Sequence, residues 1–239
     1  MRSERNKIPK IVHHIWTSGD EMWPVYKEYR NTWMKLNPDY KFILWTPQDF
    51  ELDKYSDTSR ILLQDKVFWE LKFDVVTWEI LNLYGGIKTD NDMICRKCFD
   101  PLLKYNSFAG KNWHQCTMGV QLVGMAQRNP LCRKISDAVN TAIIGNWKNA
   151  NKGGIYKYTD YPAYPFLSQC ECVLEKEEFN PFSWKRLQNK KGMPADNQEE
   201  TLQKILEEND WFPNSYSIHT WGSMLGGGWT KIMKGSENA

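Results

Sequence analysis

An α/β fold around a mostly parallel sheet is what this sequence predicts, and three observations predict it. Residues 8–45 alternate apolar extended stretches with a helical pattern, and a longer helical pattern from Val67 to Tyr84 stops at Gly85-Gly86. A short extended piece, Ile87-Lys88-Thr89, follows the glycines at once and ends in Asp90-Asn91-Asp92.

Each element has its own signal. Ile8 to Trp16 is apolar and β-branched, as a buried strand requires, and Gly19 breaks the run. Between Trp23 and Leu36, the residues Tyr26, Tyr29, Trp33 and Leu36 fall at helical spacing before Asn37-Pro38 ends the pattern. Tyr40 to Trp45 reads as a second strand, and Thr46-Pro47-Gln48-Asp49 as a cap with proline at the first helical position. In the 67–84 helix, Leu71, Val75, Trp78 and Leu81 form one stripe, and the two glycines supply its left-handed stop. Val120 to Met125 reads as a strand and Leu131 to Ile144 as a helix. Residues 146–161, rich in Gly, Asn, Lys and Tyr, read as a long irregular loop. Leu202 to Glu208 reads as a short helix and Ser217-Ile218-His219 as a last strand. No repeat or clean boundary divides the chain, so it is expected to form a single domain, 1–239, with halves at 8–125 and 126–239.

Composition narrows the function. Lys+Arg 31 against Asp+Glu 29 leaves a nearly balanced chain, without the basic excess of a nucleic-acid binder. No stretch approaches the roughly 20 apolar residues of a membrane span, and the charged start Met1-Arg2-Ser3-Glu4-Arg5 has no signal-peptide core. A cytoplasmic setting is the expectation. The 12 Trp, 11 Tyr and 10 Phe suit either a ring-filled core or a surface that stacks sugars and bases, and composition does not choose. Cys95-Arg96-Lys97-Cys98 has zinc-like spacing, which Cys170 and Cys172 could complete. With no second CxxC and no nearby His, reduced thiols are the simpler reading.

The chemistry centres on Asp90-Asn91-Asp92. The triplet sits at the carboxyl end of a strand, where open α/β sheets bind ligands. A turn there can converge two carboxylates whose hard oxygens suit Mn2+ or Mg2+ shared with phosphate. An isolated DxD is more often a solvated acidic turn, so the context decides.

That context resembles glycosyltransferase family 32 and related DXD sugar-binding proteins. Leu-Tyr-Gly-Gly-Ile-Lys-Thr-Asp-Asn-Asp (83–92) is similar to the family's "yGGiYlDtD". Lys72-Phe73-Asp74 with Trp78-Glu79-Ile80-Leu81 is similar to its "SDxxRyeiL" helix. Residues 8–16 resemble its opening "IPKiIHqiW" strand, and Phe212-Pro213 with Ser217 to Gly222 its closing "fyP…aiHhw". The resemblance implies a GT-A fold, Rossmann-like, with the DXD loop at the sheet's edge. It also implies a nucleotide-diphosphate sugar donor (a UDP- or GDP-sugar), Mn2+ or Mg2+, retention of anomeric configuration, and a glycan, glycoprotein or glycolipid acceptor. The half at 8–125 would then hold the donor, and 126–239 the acceptor.

Roles carry over at matched positions. Asp74 would bind donor-sugar hydroxyls. Asp90 would bind ribose or sugar hydroxyls with a share in the metal site, and Asp92 would be the direct metal ligand. Trp16 is either a ring that stacks on the base or a core ring. His219 would complete the metal shell or touch phosphate, with Trp221 beside it, or serve structure alone. Two departures stand out. The family's helix Arg is replaced by Thr77, leaving Lys72 or Lys88 as substitute cations, and Lys88 stands where the family has Tyr. The family's mid-chain Gly-Pro element is replaced by Tyr161-Pro162-Ala163-Tyr164-Pro165.

These residues predict a metal-dependent hexosyltransferase that proceeds by front-face substitution, since the matched motifs contain no nucleophile. A binding protein of the same fold without turnover is the first alternative. A metal-dependent phosphohydrolase is the second, disfavoured because residues 93–99 offer no further acid.

Overall fold

The computed structural model of the chain describes residues 7–17, 21–64, 69–111, 118–146, 158–179, 181 and 213–220. The expected helix at 202–208, Gly19, Cys116 and Trp221 lie outside these residues.

Six strands form the central sheet. They are β1 (Ile11–Ile15), β2 (Lys41–Trp45), β3 (Gly86–Thr89), β5 (Ser107–Lys111), β6 (Met118–Met125) and β7 (Cys172–Leu174), in the order β2-β1-β3-β6-β5-β7. β1 runs parallel to β2 and β3, and β5 parallel to β7; β6 alone is antiparallel to its neighbours. A separate two-stranded ladder pairs β4 (Met93–Cys95) with β8 (Ser217–His219). The expected α/β architecture with a mostly parallel sheet is what the chain adopts.

The helices are α1 (Pro24–Leu36), α2 (Asp57–Gln64), α3 (Trp69–Tyr84), α4 (Pro130–Gly145), α5 (Asp160–Leu167) and the single turn α6 (Lys176–Phe179). Strand alternation sends successive side chains to opposite faces, and two apolar clusters result. Ile15, Ala109 and Val123 face the cluster built by α2 to α5, while Val12, Phe108 and Leu122 face the one that holds Trp33 of α1, Phe99 and Phe179. In α3 the expected stripe of Leu71, Val75, Trp78 and Leu81 is fully buried, each such side chain contributing about 1.5–3 kcal/mol. On α1, Tyr26, Tyr29 and Trp33 are buried, but Leu36 is half-exposed where the helix leaves the sheet. The Thr46 cap takes the expected form, closing a capping box with Asp49 over one 3-10 turn.

The turn from α3 into β3 depends on its two glycines. Gly85 has φ +62° and Gly86 φ +102°, conformations that side chains rarely adopt. A Cβ on Gly85 would sit 2.5 Å from the Gln127 nitrogen, and one on Gly86 would sit 2.6 Å from the Ile11 carbonyl. His13 clamps this turn. Its Nδ1 accepts from the Trp45 indole at 3.0 Å, so Nε2 carries the proton and donates to the Gly85 carbonyl at 2.7 Å. Burial lowers the His13 pKa to about 4, so the clamp stays neutral.

One expectation fails in the second half. Residues 146–161 do not run as loop to their end: Tyr158 and Thr159 form a turn, and α5 begins at Asp160. The Tyr161–Pro165 segment is therefore helical, with Pro162 in the first turn, where its missing N–H costs nothing. In the CxxC pair Cys95 is buried and Cys98 exposed, both as free thiols. Cys95 Sγ instead accepts from Asn37 Nδ2 and contacts the Lys97 carbonyl, and burial pushes its thiol up to about 12.

Candidate metal and nucleotide-sugar site

The site begins where β3 ends. Asp90 N donates to the Gln121 carbonyl (2.8 Å), extending the β3–β6 ladder by one step, and the chain then turns through Asn91 and Asp92. Asn91 Nδ2 donates to the Ile15 carbonyl at 2.7 Å, tying the turn to the end of β1 beside Trp16. β4 follows, and α1 anchors it: Trp33 Nε1 donates to the Met93 carbonyl (2.9 Å), and Cys95 N donates to Thr32 Oγ1 (2.9 Å).

The β4–β8 ladder brings in the third ligand. Met93 is paired with His219, so the imidazole lands beside Asp92, with Nε2 2.9 Å from Asp92 Oδ1. Thr220 fixes the same spot from behind, donating both its N–H (2.9 Å) and its hydroxyl (3.0 Å) to the Asp92 carbonyl. Among the described residues, one group of His, Cys, Asp or Glu side chains could hold an ion together: Asp90, Asp92 and His219, with ligand atoms all within 4.8 Å of one another. Asp90 is the more open carboxylate, its side chain 22% exposed against 9% for Asp92, so it faces an incoming ligand more directly. Two carboxylate oxygens and one imidazole fit Mn2+ or Mg2+ and leave positions for phosphate oxygens.

Electrostatics mark the same place. Burial pushes the Asp90 carboxyl upward, against the pull of Lys88. For His219 burial alone would lower the pKa, but the Asp92 carboxylate outweighs it and the imidazole is raised above its ordinary value. Tyr26 and Tyr29 of α1 are both pushed up, first by burial and then by the Asp92 charge. They were legible only as core residues.

The predicted residues divide as follows. Asp90, Asp92 and His219 come together. Asp74, 9% exposed on α3, belongs to the same charged neighbourhood: burial raises its carboxyl to about 8, with Lys88 opposing and Asp160 and Asp90 adding. Trp16 ends β1 and is buried, edge-on to Trp23 and Tyr26.

Of the two candidate cations, Lys88 lies beside Asp90 and Lys72 does not. Thr77 is buried, its hydroxyl turned back to the Phe73 carbonyl (2.9 Å), and Lys72 is tied to the Leu63 carbonyl (2.8 Å). Lys88 is 1% exposed, with Nζ 2.5 Å from Asp90 Oδ1, 2.9 Å from the Val120 carbonyl and 4.4 Å from the centre of the Phe73 ring. Sequence reasoning missed Asp160. Burial raises its carboxyl to about 7, Asp90 adds to the shift, and Lys88 and His219 oppose it.

Comparison with known proteins agrees with this geometry. The glycosyltransferase sugar-binding region containing DXD motif matches residues 24–109. Mannosyl phosphorylinositol ceramide synthase SUR1 of Saccharomyces cerevisiae is 33% identical over 137 residues, covering 53% of this chain and 33% of that protein. Inositol phosphoceramide mannosyltransferase 3 of Schizosaccharomyces pombe is 30% identical over 132 residues, covering 54% and 36%. The chain thus spans about a third of the length of these curated relatives. Among solved structures, PaToxG Glycosyltransferase superposes with a TM-score of 0.51 at 18% identity, over 69% of this chain and 70% of that one, a likeness of fold. Among the described residues no helix is long and apolar enough to cross a membrane. The chain is thus similar to DXD-containing glycosyltransferases over residues 24–109 and shares its α/β fold with a solved glycosyltransferase.

Proposed function

We propose that the chain transfers a hexose from a nucleotide-diphosphate sugar to an acceptor hydroxyl with retention of configuration, assisted by Mn2+ or Mg2+. The observation that carries this reading is the convergence of Asp90, Asp92 and His219 at a strand's carboxyl end, supplied by segments 127 residues apart. A bound divalent ion would neutralise the charge that builds on the departing diphosphate.

This chain's own residues would do the rest. Asp92 and His219 hold the ion, and the two hydrogen bonds from Thr220 fix the backbone that carries Asp92. With an ion bound, Asp90 would share it with Asp92 and His219, and Lys88 beside Asp90 would be placed to offset diphosphate charge. Asp74 accepts hydrogen bonds from donor-sugar hydroxyls, and Trp16 flanks the base. In the reaction the acceptor oxygen bonds to the anomeric carbon on the face from which the diphosphate oxygen leaves. That oxygen takes the acceptor's proton, which avoids an enzyme nucleophile. Residues 8–125 carry the donor machinery and 126–239 the acceptor side, with His219 returning to the donor half.

The names of the relatives make a mannosyl donor and an inositol-phosphoceramide-like glycolipid acceptor the first pair to test, ahead of glycans and glycoproteins. A panel of UDP- and GDP-sugars, with and without Mn2+, should give ion-dependent hydrolysis of one donor and transfer once an acceptor is added. A chain that binds a donor tightly yet never turns it over would be the non-catalytic binding protein instead.

A further inference from the structure

Asp90 stands between two different groups of side chains. On one side are Asp92 and His219, the ion ligands. Toward α3 and α5 are Lys88, Asp74, Thr159 and Asp160, and this second group has no part in holding the ion: the ligand cluster is Asp90, Asp92 and His219.

Thr159 and Asp160 would ordinarily be explained by helix capping. Thr159 is the N-cap residue of α5, and Asp160 is the acid of its first turn. The structure does not use them that way. Thr159 makes no side-chain cap hydrogen bond. Thr159 is buried; its hydroxyl sits 3.4 Å from Asp160 Oδ1 and also bonds the Asp74 carboxyl. Two carboxyl groups from separate helices therefore share one hydroxyl inside the pocket. α5 packs on α4 and on β6, the strand whose Gln121 carbonyl receives the Asp90 N–H, so this placement is fixed by the core.

A neutral polyol is the ligand that such a group suits. Clustered carboxyls with one ammonium among them offer acceptors in several directions, and hydroxyl donors satisfy acceptors without adding charge. A phosphate brings further negative charge to carboxyls that burial already discourages from ionising, so it suits this place less well than a hydroxyl.

We infer that Asp160, with Thr159, forms a second hydroxyl-binding wall opposite Asp74 and reads the hydroxyls of the transferred sugar. The inference rests on the donor-site reading above. It makes Asp160 a positioning and specificity residue for the sugar, without a share in nucleotide or ion binding.

The test uses the full chain and two ligands that differ only by the sugar. Calorimetry with Mn2+ measures the nucleoside diphosphate alone, and steady-state hydrolysis measures the nucleotide sugar. In Asp160→Ala the diphosphate Kd should stay within about threefold of the parent, while kcat/KM for the nucleotide sugar falls by about a hundredfold, as expected when a site built to bond a hydroxyl loses its partner. Asp160→Asn, which keeps the shape and one acceptor, should recover part of the loss and should melt no lower than the parent. Equal loss of diphosphate and nucleotide-sugar binding would overturn the inference, because Asp160 would then serve the ion or the fold. An unchanged kcat/KM in both variants would overturn it as well. If the parent chain bound neither UDP nor GDP with Mn2+, the donor-site reading itself would fall, a result distinct from any produced by the variants.

Discussion

Two carboxylates on one helix show how differently burial can be used. Glu79 and Asp74 both lie on α3, at 1% and 9% exposure. Glu79 is surrounded by donors: the hydroxyls of Ser56 and Ser59, both at 2.7 Å, that of Ser136 at 3.4 Å, and the Arg133 guanidinium at 3.3 and 3.4 Å. It ties α2, α3 and α4 together, and Asn140 extends the network to Ser59. Asp74 has Lys88, Asp160 and Asp90 as charged neighbours and the Thr159 hydroxyl as a hydrogen-bond partner, and burial drives its pKa up to about 8. A buried acid supplied with donors is a structural joint, whereas one that burial leaves short of donors is a candidate for ligand binding.

The sharpest test of that contrast is at the ion ligands. Asp92→Ala should cut Mn2+-dependent transfer by about a hundredfold or more, with an unchanged far-UV spectrum. Transfer that survived this change would remove the comparison's functional half. Glu79→Ala should do the reverse. It should lower unfolding free energy in urea by about 2–3 kcal/mol, discounted because Arg133 is 39% exposed, while activity per folded molecule holds.

Asp74→Asn brings the contrast to a finer point. The Asp74 pKa is raised from 3.8 to about 8 on folding, so the native state binds the proton more tightly than the unfolded chain. The parent therefore loses stability as pH rises from about 4 to about 8. The amide removes this penalty, so the variant should melt a few degrees higher than the parent at pH 8 and no higher at pH 4, even as transfer falls. A lower melting temperature at pH 8 would mean that Asp74 is held as firmly as Glu79.

The smallest expected effect is on ion affinity. His219 must lose its proton to ligate, and Asp92 raises its pKa above the ordinary 6.5. Mn2+ binding should therefore tighten severalfold between pH 6 and pH 8 in calorimetry, and this dependence should flatten in His219→Ala.

The first half of the fold was legible because its signals are local. The alternation through residues 8–45 and the Gly85-Gly86 stop each need only neighbouring residues, and the DXD turn follows from them. β5 and β7 were not legible: Ser107–Lys111 carries Ser, Gly and Lys, and Cys172–Leu174 is three residues long. Pairing, not propensity, makes them strands. In the site, Asp90, Asp92 and His219 could be read from motifs. Asp160 could not, because Thr-Asp-x-Pro imitates an ordinary helix start. Lys88 was visible only as one of two candidate cations, and the structure places it, and not Lys72, against Asp90.

The β4–β8 ladder has a consequence for how the molecule comes into being. Asp92 leaves the ribosome long before His219, so for most of its synthesis a nascent chain holds its acidic turn with no imidazole beside it. Loop closure across that interval is slow and costly in entropy. The proposed ion site would therefore be complete only once β8 has docked on β4.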